Sequence, residues 1–230
     1  MRKRWVALSA LLLAACTVPT PRPETPQAPP RAPQTMPSPG AYRIDPNRSE
    51  LRLLVYRAGP LANFGHNHVM VNHDLSGTIR VGSAIESSSF DLSVPVERFV
   101  VDDPKNRSEE GADFPGEISA SAREGTLHNM LSAPLLNGAA YPTLEVRAEQ
   151  LQETNGSLNA TVAVSIAGHD TSIEVPFVFD ATSRSLVVTA GFEIRQTELG
   201  LTPLSLLGGA LQVRDAVNVK LTLVALAEAP

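Results

Sequence analysis

Between Tyr42 and the carboxyl end, apolar and polar residues alternate one for one in eight separate runs, a period that suits strands and no helix. Leu51, Leu53 and Val55 alternate with Glu50 and Arg52, and Val69, Val71, Leu75, Ile79 and Val81 share one parity in the second run. Phe90, Leu92, Val94 and Val96 oppose Ser89, Asp91 and Ser93, and Leu144, Val146 and Ala148 oppose Glu145 and Arg147. The remaining runs place Val162 and Val164, Phe177 and Phe179, Phe192 and Ile194, and Val217 and Val219 on their apolar faces. One wet face and one dry face per strand argue antiparallel pairing. Asn155-Gly156, Gly168-His169-Asp170 and residues 181–184 are connectors of hairpin length. Eight antiparallel strands remove their exposed edges by closing into a barrel whose interior is either filled by side chains or holds one small ligand. A two-sheet sandwich is the competing architecture.

The rest of the chain divides into an address, a tether and one interrupting segment. Arg2, Lys3 and Arg4 precede an apolar run of eleven residues from Trp5 to Ala15. That is too short for a bilayer span and fits a secretory signal, expected over residues 1–15. The run ends Leu13-Ala14-Ala15-Cys16, which resembles the lipobox of bacterial lipoproteins. Cys16 would then be the first mature residue and carry acyl chains of the palmitate class. Two or more such chains hold a protein stably at a membrane. By the same resemblance, Thr17, where a retention signal has Asp, points to the outer membrane of a bacterial envelope, on its periplasmic side.

Residues 16–41 are expected to be a proline-rich tether, and residues 42–228 the barrel domain. Prolines crowd the tether without apolar periodicity, so it has too little to bury. At about 3.1 Å per residue it reaches on the order of 70 Å. Residues 102–141 form the one long stretch without alternation. Short helical turns are expected there at 108–112 and 124–136, in a segment long enough to be a lid.

Composition excludes other classes. A net charge of -5 offers no cationic face for nucleic acid. A single cysteine rules out a disulfide framework and a cysteine zinc site. There is no Gly-x-Ser-x-Gly elbow, phosphate-cradling loop, dinucleotide fingerprint or His-Glu-x-x-His, so no catalytic residue is assigned. The carboxylates Asp102, Asp103, Glu109, Glu110 and Asp113 read as a solvated surface.

An up-and-down meander puts alternate connections at opposite ends. The connections near Gly82, Asn155 and Ala181 are short and share one end. Those near Gly65, at 102–141, at His169 and at 195–214 share the other, which is the expected mouth. His66, His68, His128 and His169 all fall at that end. His66 and His68 share a side at spacing two, and with His169 or His128 they form a candidate set of transition-metal ligands. The competing reading gives these imidazoles hydrogen bonds to a ligand head group or to backbone. Strict alternation turns His73 inward with Val71 and Leu75. It turns His66 and His68 outward, unless a bulge near Gly65 or at 72–74 reverses them.

Tyr42-x-Ile44-Asp45 with Ser49, Gly77-x-Ile79, Tyr141-Pro142-x-Leu144, Leu199-Gly200-Leu201 and Asp215-x-Val217-x-Val219 together resemble the YceI-like family. The resemblance spans about Tyr42 to Ala227. It implies a lipocalin-like antiparallel barrel and an isoprenoid-type ligand, polyprenyl or quinone, along its axis. Two stretches depart from the family pattern: Phe64-Gly65-His66-Asn67-His68 and Leu127-His128-Asn129-Met130-Leu131-Ser132. Candidate ligand contacts are Phe90, Leu92, Val164, Phe177 and Phe192 for the tail. Phe64, His66 and His68 are the candidates nearer the mouth, and His73 is an inward-facing candidate. The expected function is a membrane-tethered binding or carrier protein for an amphiphilic lipid. The alternatives are a metal- or haem-binding redox accessory or enzyme built on the histidines, and a barrel filled by its own side chains.

Overall fold

A computed structural model describes residues 36–228. The expected signal peptide, Cys16 and the tether up to residue 35 lie outside the described residues. Twelve strands carry the fold: β1 (Gly40–Ile44), β2 (Glu50–Ala58), β3 (His68–Asn72), β4 (Ser76–Val81), β5 (Ser89–Pro95), β6 (Val100–Val101), β7 (Thr143–Thr154), β8 (Ser157–Ile166), β9 (His169–Ala181), β10 (Ser185–Arg195), β11 (Ser205–Leu206) and β12 (Leu211–Ala227). Two helices, α1 (Pro104–Glu109) and α2 (Ala120–Leu131), lie in the long interruption.

Eleven of the strands make up eight staves, and the two-residue β11 pairs only with β12. β1 and β2 form the first, broken at Pro46–Arg48; β3 with β4 and β5 with β6 form the second and third. β7, β8, β9, β10 and β12 follow, each antiparallel to the one before. The eighth, β12, returns to pair with both β1 and β2, so the sheet closes on itself. The chain is therefore all-β, an eight-stranded antiparallel meander barrel of lipocalin type with short helical segments at one end. The ladder between β9 and β10 is partial, covering residues 177–181 and 186–190.

Local chemistry fixes the register. Asn155 and Gly156 both adopt positive φ, 53° and 76°, the backbone of a two-residue hairpin turn whose twist matches its strands. At the break in the first stave, the buried Ser49 hydroxyl accepts from the Val224 N–H at 3.0 Å, stitching β12 across the closure. Tyr42, 1% exposed, donates its hydroxyl to the Ser38 carbonyl at 2.9 Å. Pro37 is buried and Met36 half-buried against the same core, so residues at the end of the expected tether pack on the barrel.

The second run departs from the strict alternation expected of it. In β3, Met70 packs in the main core, while Val69 and Val71 face the other way. The bend at 73–75, where the Leu75 N–H donates to the His73 carbonyl at 2.7 Å, shifts the count by one. Beyond it Leu75, Ile79 and Val81 face the interior, as expected. The outward pair is nonetheless wholly buried, because the segment around α1 covers it. Leu54, Val69, Val71 and Phe114 form a small second core outside the barrel wall.

Ion pairs pin this cover. Arg52, largely buried, donates to Glu50, to Glu109 at 2.9 Å and to Glu110 at 2.8 Å, and Lys220 also reaches Glu110. Asp103 caps α1 by accepting from the Lys105 and Asn106 N–H groups, so the carboxylates read as a solvated run are largely structural.

Candidate functional site

The inward faces of the staves do not fill the barrel. They enclose a cavity of about 460 Å³ whose wall is almost wholly aliphatic and aromatic. That size is in the range of small-molecule sites. Phe90, Leu92, Val164, Phe177 and Phe192 all line it, as the alternation requires. The alternative of a barrel filled by its own side chains does not hold: the phenylalanines lie along the wall and leave the axis open.

The two ends differ. Met36 and Pro37 contribute to the wall at the end where β1 begins. At the other end the long connections gather, and Thr126, Asn129 and Met130 of α2 with Leu135 and Leu136 lie against the cavity. The polar lining is concentrated here: Arg57, His66, His68, Gln196 and Gln212.

His68 lines the cavity because β3 has the reversed parity described above, and His66, just before β3, lines it too. Their rings are 6.5 Å apart and set edge to face. His66 is exposed and His68 half-buried. Two residues assigned to the site on sequence grounds are elsewhere. Phe64 is 81% exposed and outside the cavity wall, on a short 3-10 turn that aims it at solvent. His73 sits on the bend that resets the parity, points outward, and bonds the Ser49 carbonyl through Nδ1 at 2.9 Å.

The metal-ligand set is not assembled. Among the described residues no three His, Cys, Asp or Glu side chains gather closely enough to hold a metal ion. His169 is exposed and lies against Gly200, whose positive φ and close contact with the imidazole admit no side chain. His128 is exposed on α2.

Behind His68 stands a group the sequence reading missed. Asp102 is 0% exposed, and its Oδ2 lies 2.6 Å from His68 Nδ1. Its Oδ1 accepts from the Val69 N–H at 2.9 Å and from Arg107 Nη1 at 2.6 Å. Arg107, 2% exposed, spends its other donors on the carbonyls of Asn67, Pro115 and Gly116. Burial pushes the Asp102 carboxyl up. The hydrogen bonds from His68 and the Val69 N–H, the His68 charge and the Arg107 guanidinium outweigh it and hold the group below its ordinary 3.8. The only local signal for Asp102 is its place before the Asp103-Pro104 helix start. Its partner on β3 is 34 residues away.

The family profile described as the YceI-like domain matches residues 42–225. The chain belongs to the YceI-like family. The motif residues of this YceI-like chain fall into two groups. Tyr42 and Ser49 serve the closure, and Asp215 accepts from the Thr197 N–H and hydroxyl at 2.9 and 2.7 Å. Ile79, Leu144, Leu199, Leu201, Val217 and Val219 line the cavity. Among solved structures the YceI-like barrel is similar to BcnA of Burkholderia cenocepacia, with 14% identity, TM-score 0.56, and 79% of this chain covering 98% of that one. It is also similar to a polyisoprenoid binding domain from Saccharophagus degradans, with 11% identity, TM-score 0.53, and 81% of this chain covering 98% of that one. At such identities the likeness is one of fold. No curated protein matches the chain significantly. Among the described residues no helix is long and apolar enough to cross a membrane.

Proposed function

We propose that this YceI-like chain binds an amphiphilic isoprenoid-type lipid, polyprenyl or quinone, with the tail along the barrel axis and the head at the end bearing His66 and His68. The observation that carries this reading is the cavity: about 460 Å³ of apolar space running between the two ends of a closed barrel. Removing tail carbon from water yields about 25 cal/mol per Å², and a preformed pocket spends little of that on ordering. The polyisoprenoid binding described for the Saccharophagus degradans domain of the same fold supports the same class of ligand. The role is carriage or sequestration rather than turnover.

In this reading the chain is a lipoprotein. Residues 1–15 direct export, Cys16 carries the acyl anchor, and the proline-rich segment lets the barrel work on the periplasmic side of the bacterial envelope, at the outer membrane. Replacing Cys16 with Ser is expected to abolish incorporation of labelled palmitate and to release the protein from the membrane fraction.

Organic extraction of the purified protein followed by mass spectrometry tests the ligand. An isoprenoid-tailed lipid is expected from the native chain. It is expected to be absent from an Ala160→Trp variant, which fills the cavity from a position on its wall. Equal lipid from both proteins would overturn the assignment to the barrel interior.

A further inference from the structure

The site gains a specific chemistry from the way His68 is held, an argument that rests on the binding function proposed above. A carboxylate without a proton can only accept hydrogen bonds, so the 2.6 Å contact between Asp102 Oδ2 and His68 Nδ1 places the ring proton on Nδ1. In its neutral form the imidazole is then left with Nε2 as an acceptor, and among the described residues that nitrogen has no protein partner. His68 is on the cavity wall, across the ladder from Val55, which lines the cavity too. The ring cannot easily turn to offer a donor instead. Asp102 is itself fixed by the Val69 N–H and by Arg107, whose remaining donors are committed to three backbone carbonyls. The three residues form a buried rod, carbonyls to Arg107 to Asp102 to His68, that ends in one oriented lone pair at the rim of an apolar tube.

We infer that His68 Nε2 accepts a hydrogen bond from the head group, so that the site selects an apolar-tailed alcohol or phenol over the same tail ending in an ether, a ketone or a phosphate. Asp102 is the positioning residue. An ether or carbonyl head brings no donor and would leave Nε2 without a ligand partner in a largely apolar site. A phosphate brings negative charge to within one ring of the buried Asp102 carboxylate. A polar site that must pair its ligand's O–H discriminates against the analogue lacking it more sharply than an apolar wall can.

The test uses three probes with one tail, geranylgeraniol, its methyl ether and geranylgeranyl phosphate, titrated into the delipidated full chain. The native protein is expected to prefer the alcohol to the ether by roughly tenfold. His68→Phe is expected to bring the ratio to about one. Asp102→Asn, which keeps a hydrogen-bonding side chain behind the ring, is expected to lower the alcohol preference without abolishing ether binding. Because either variant could fold poorly, the imidazole ¹⁵N resonances of His68 in the native chain provide a second reading. They are expected to show Nδ1 protonated, and Nε2 shifting with the alcohol but not with the ether. Equal binding of alcohol and ether, a preference for the phosphate, or a ratio kept in His68→Phe overturns the inference while leaving the lipid-binding function standing. Failure to bind any of the three overturns both.

Discussion

The Nδ1 nitrogen of His68 lies 2.6 Å from Oδ2 of Asp102, a carboxylate with no exposed surface. This contact joins the barrel to its external cover: His68 looks into the cavity, whereas Asp102 leads into the segment that packs over Val69 and Val71. The polar rim and the small second core are therefore one mechanical unit.

Asp102→Ala removes the partner of a guanidinium that is 2% exposed. Stranding a buried charge costs about 3–5 kcal/mol. Urea unfolding is expected to show a loss of that order, and a loss below about 1 kcal/mol would show that the Asp102–Arg107 pair is not buried as described.

Acid should act through the same group. The folded-state Asp102 carboxyl lies below its ordinary 3.8, so its contribution to stability is complete above that value and is lost as pH falls through the folded value. Glu110, where burial raises the carboxyl but Lys220 and Arg52 together outweigh it, sits below its ordinary 4.5 and acts in the same direction. The urea midpoint is expected to stay level from pH 7 to about 5 and then fall. In Asp102→Asn the fall is expected to be shallower, read from the two midpoint curves.

The phenylalanines separate wall from rim. Phe64→Ala, at a side chain 81% exposed, is expected to change stability by less than about 0.5 kcal/mol and to leave ligand uptake intact. Phe114→Ala opens the outer core beneath residues 102–116 and is expected to cost about 3 kcal/mol, while lipid uptake by the folded protein persists. Calorimetry and a tail-uptake assay on both variants check the pair.

The barrel was legible because its interior faces are apolar on every stave, and a period of two allows only one set of side chains inward. Ala160, Val162, Val164 and Ile166 keep that order along the whole of β8. Legibility ended where the backbone leaves the period. The bend at 73–75 moved His73 out and Met70 in, and the outer cover made Val69 and Val71 core residues on the wrong face. Period-two reasoning assumes that the polar side of a strand meets water, and here a helix meets it instead. The long interruption revealed its helical character but not its partners. α1 and α2 were expected a few residues later than Pro104–Glu109 and a few residues past Ala120–Leu131. Asp102 was hidden for a related reason. A run of carboxylates reads as surface by composition, and only the fold brings one of them beneath His68.

The account stands on an interior that takes in one lipid tail, and uptake by delipidated protein measures this most directly. Titration of the native chain with a polyprenol or a polyprenyl quinone is expected to saturate at one molecule per chain, and Ala160→Trp is expected to take up none. No uptake by the native chain, or uptake undiminished in Ala160→Trp, would contradict it.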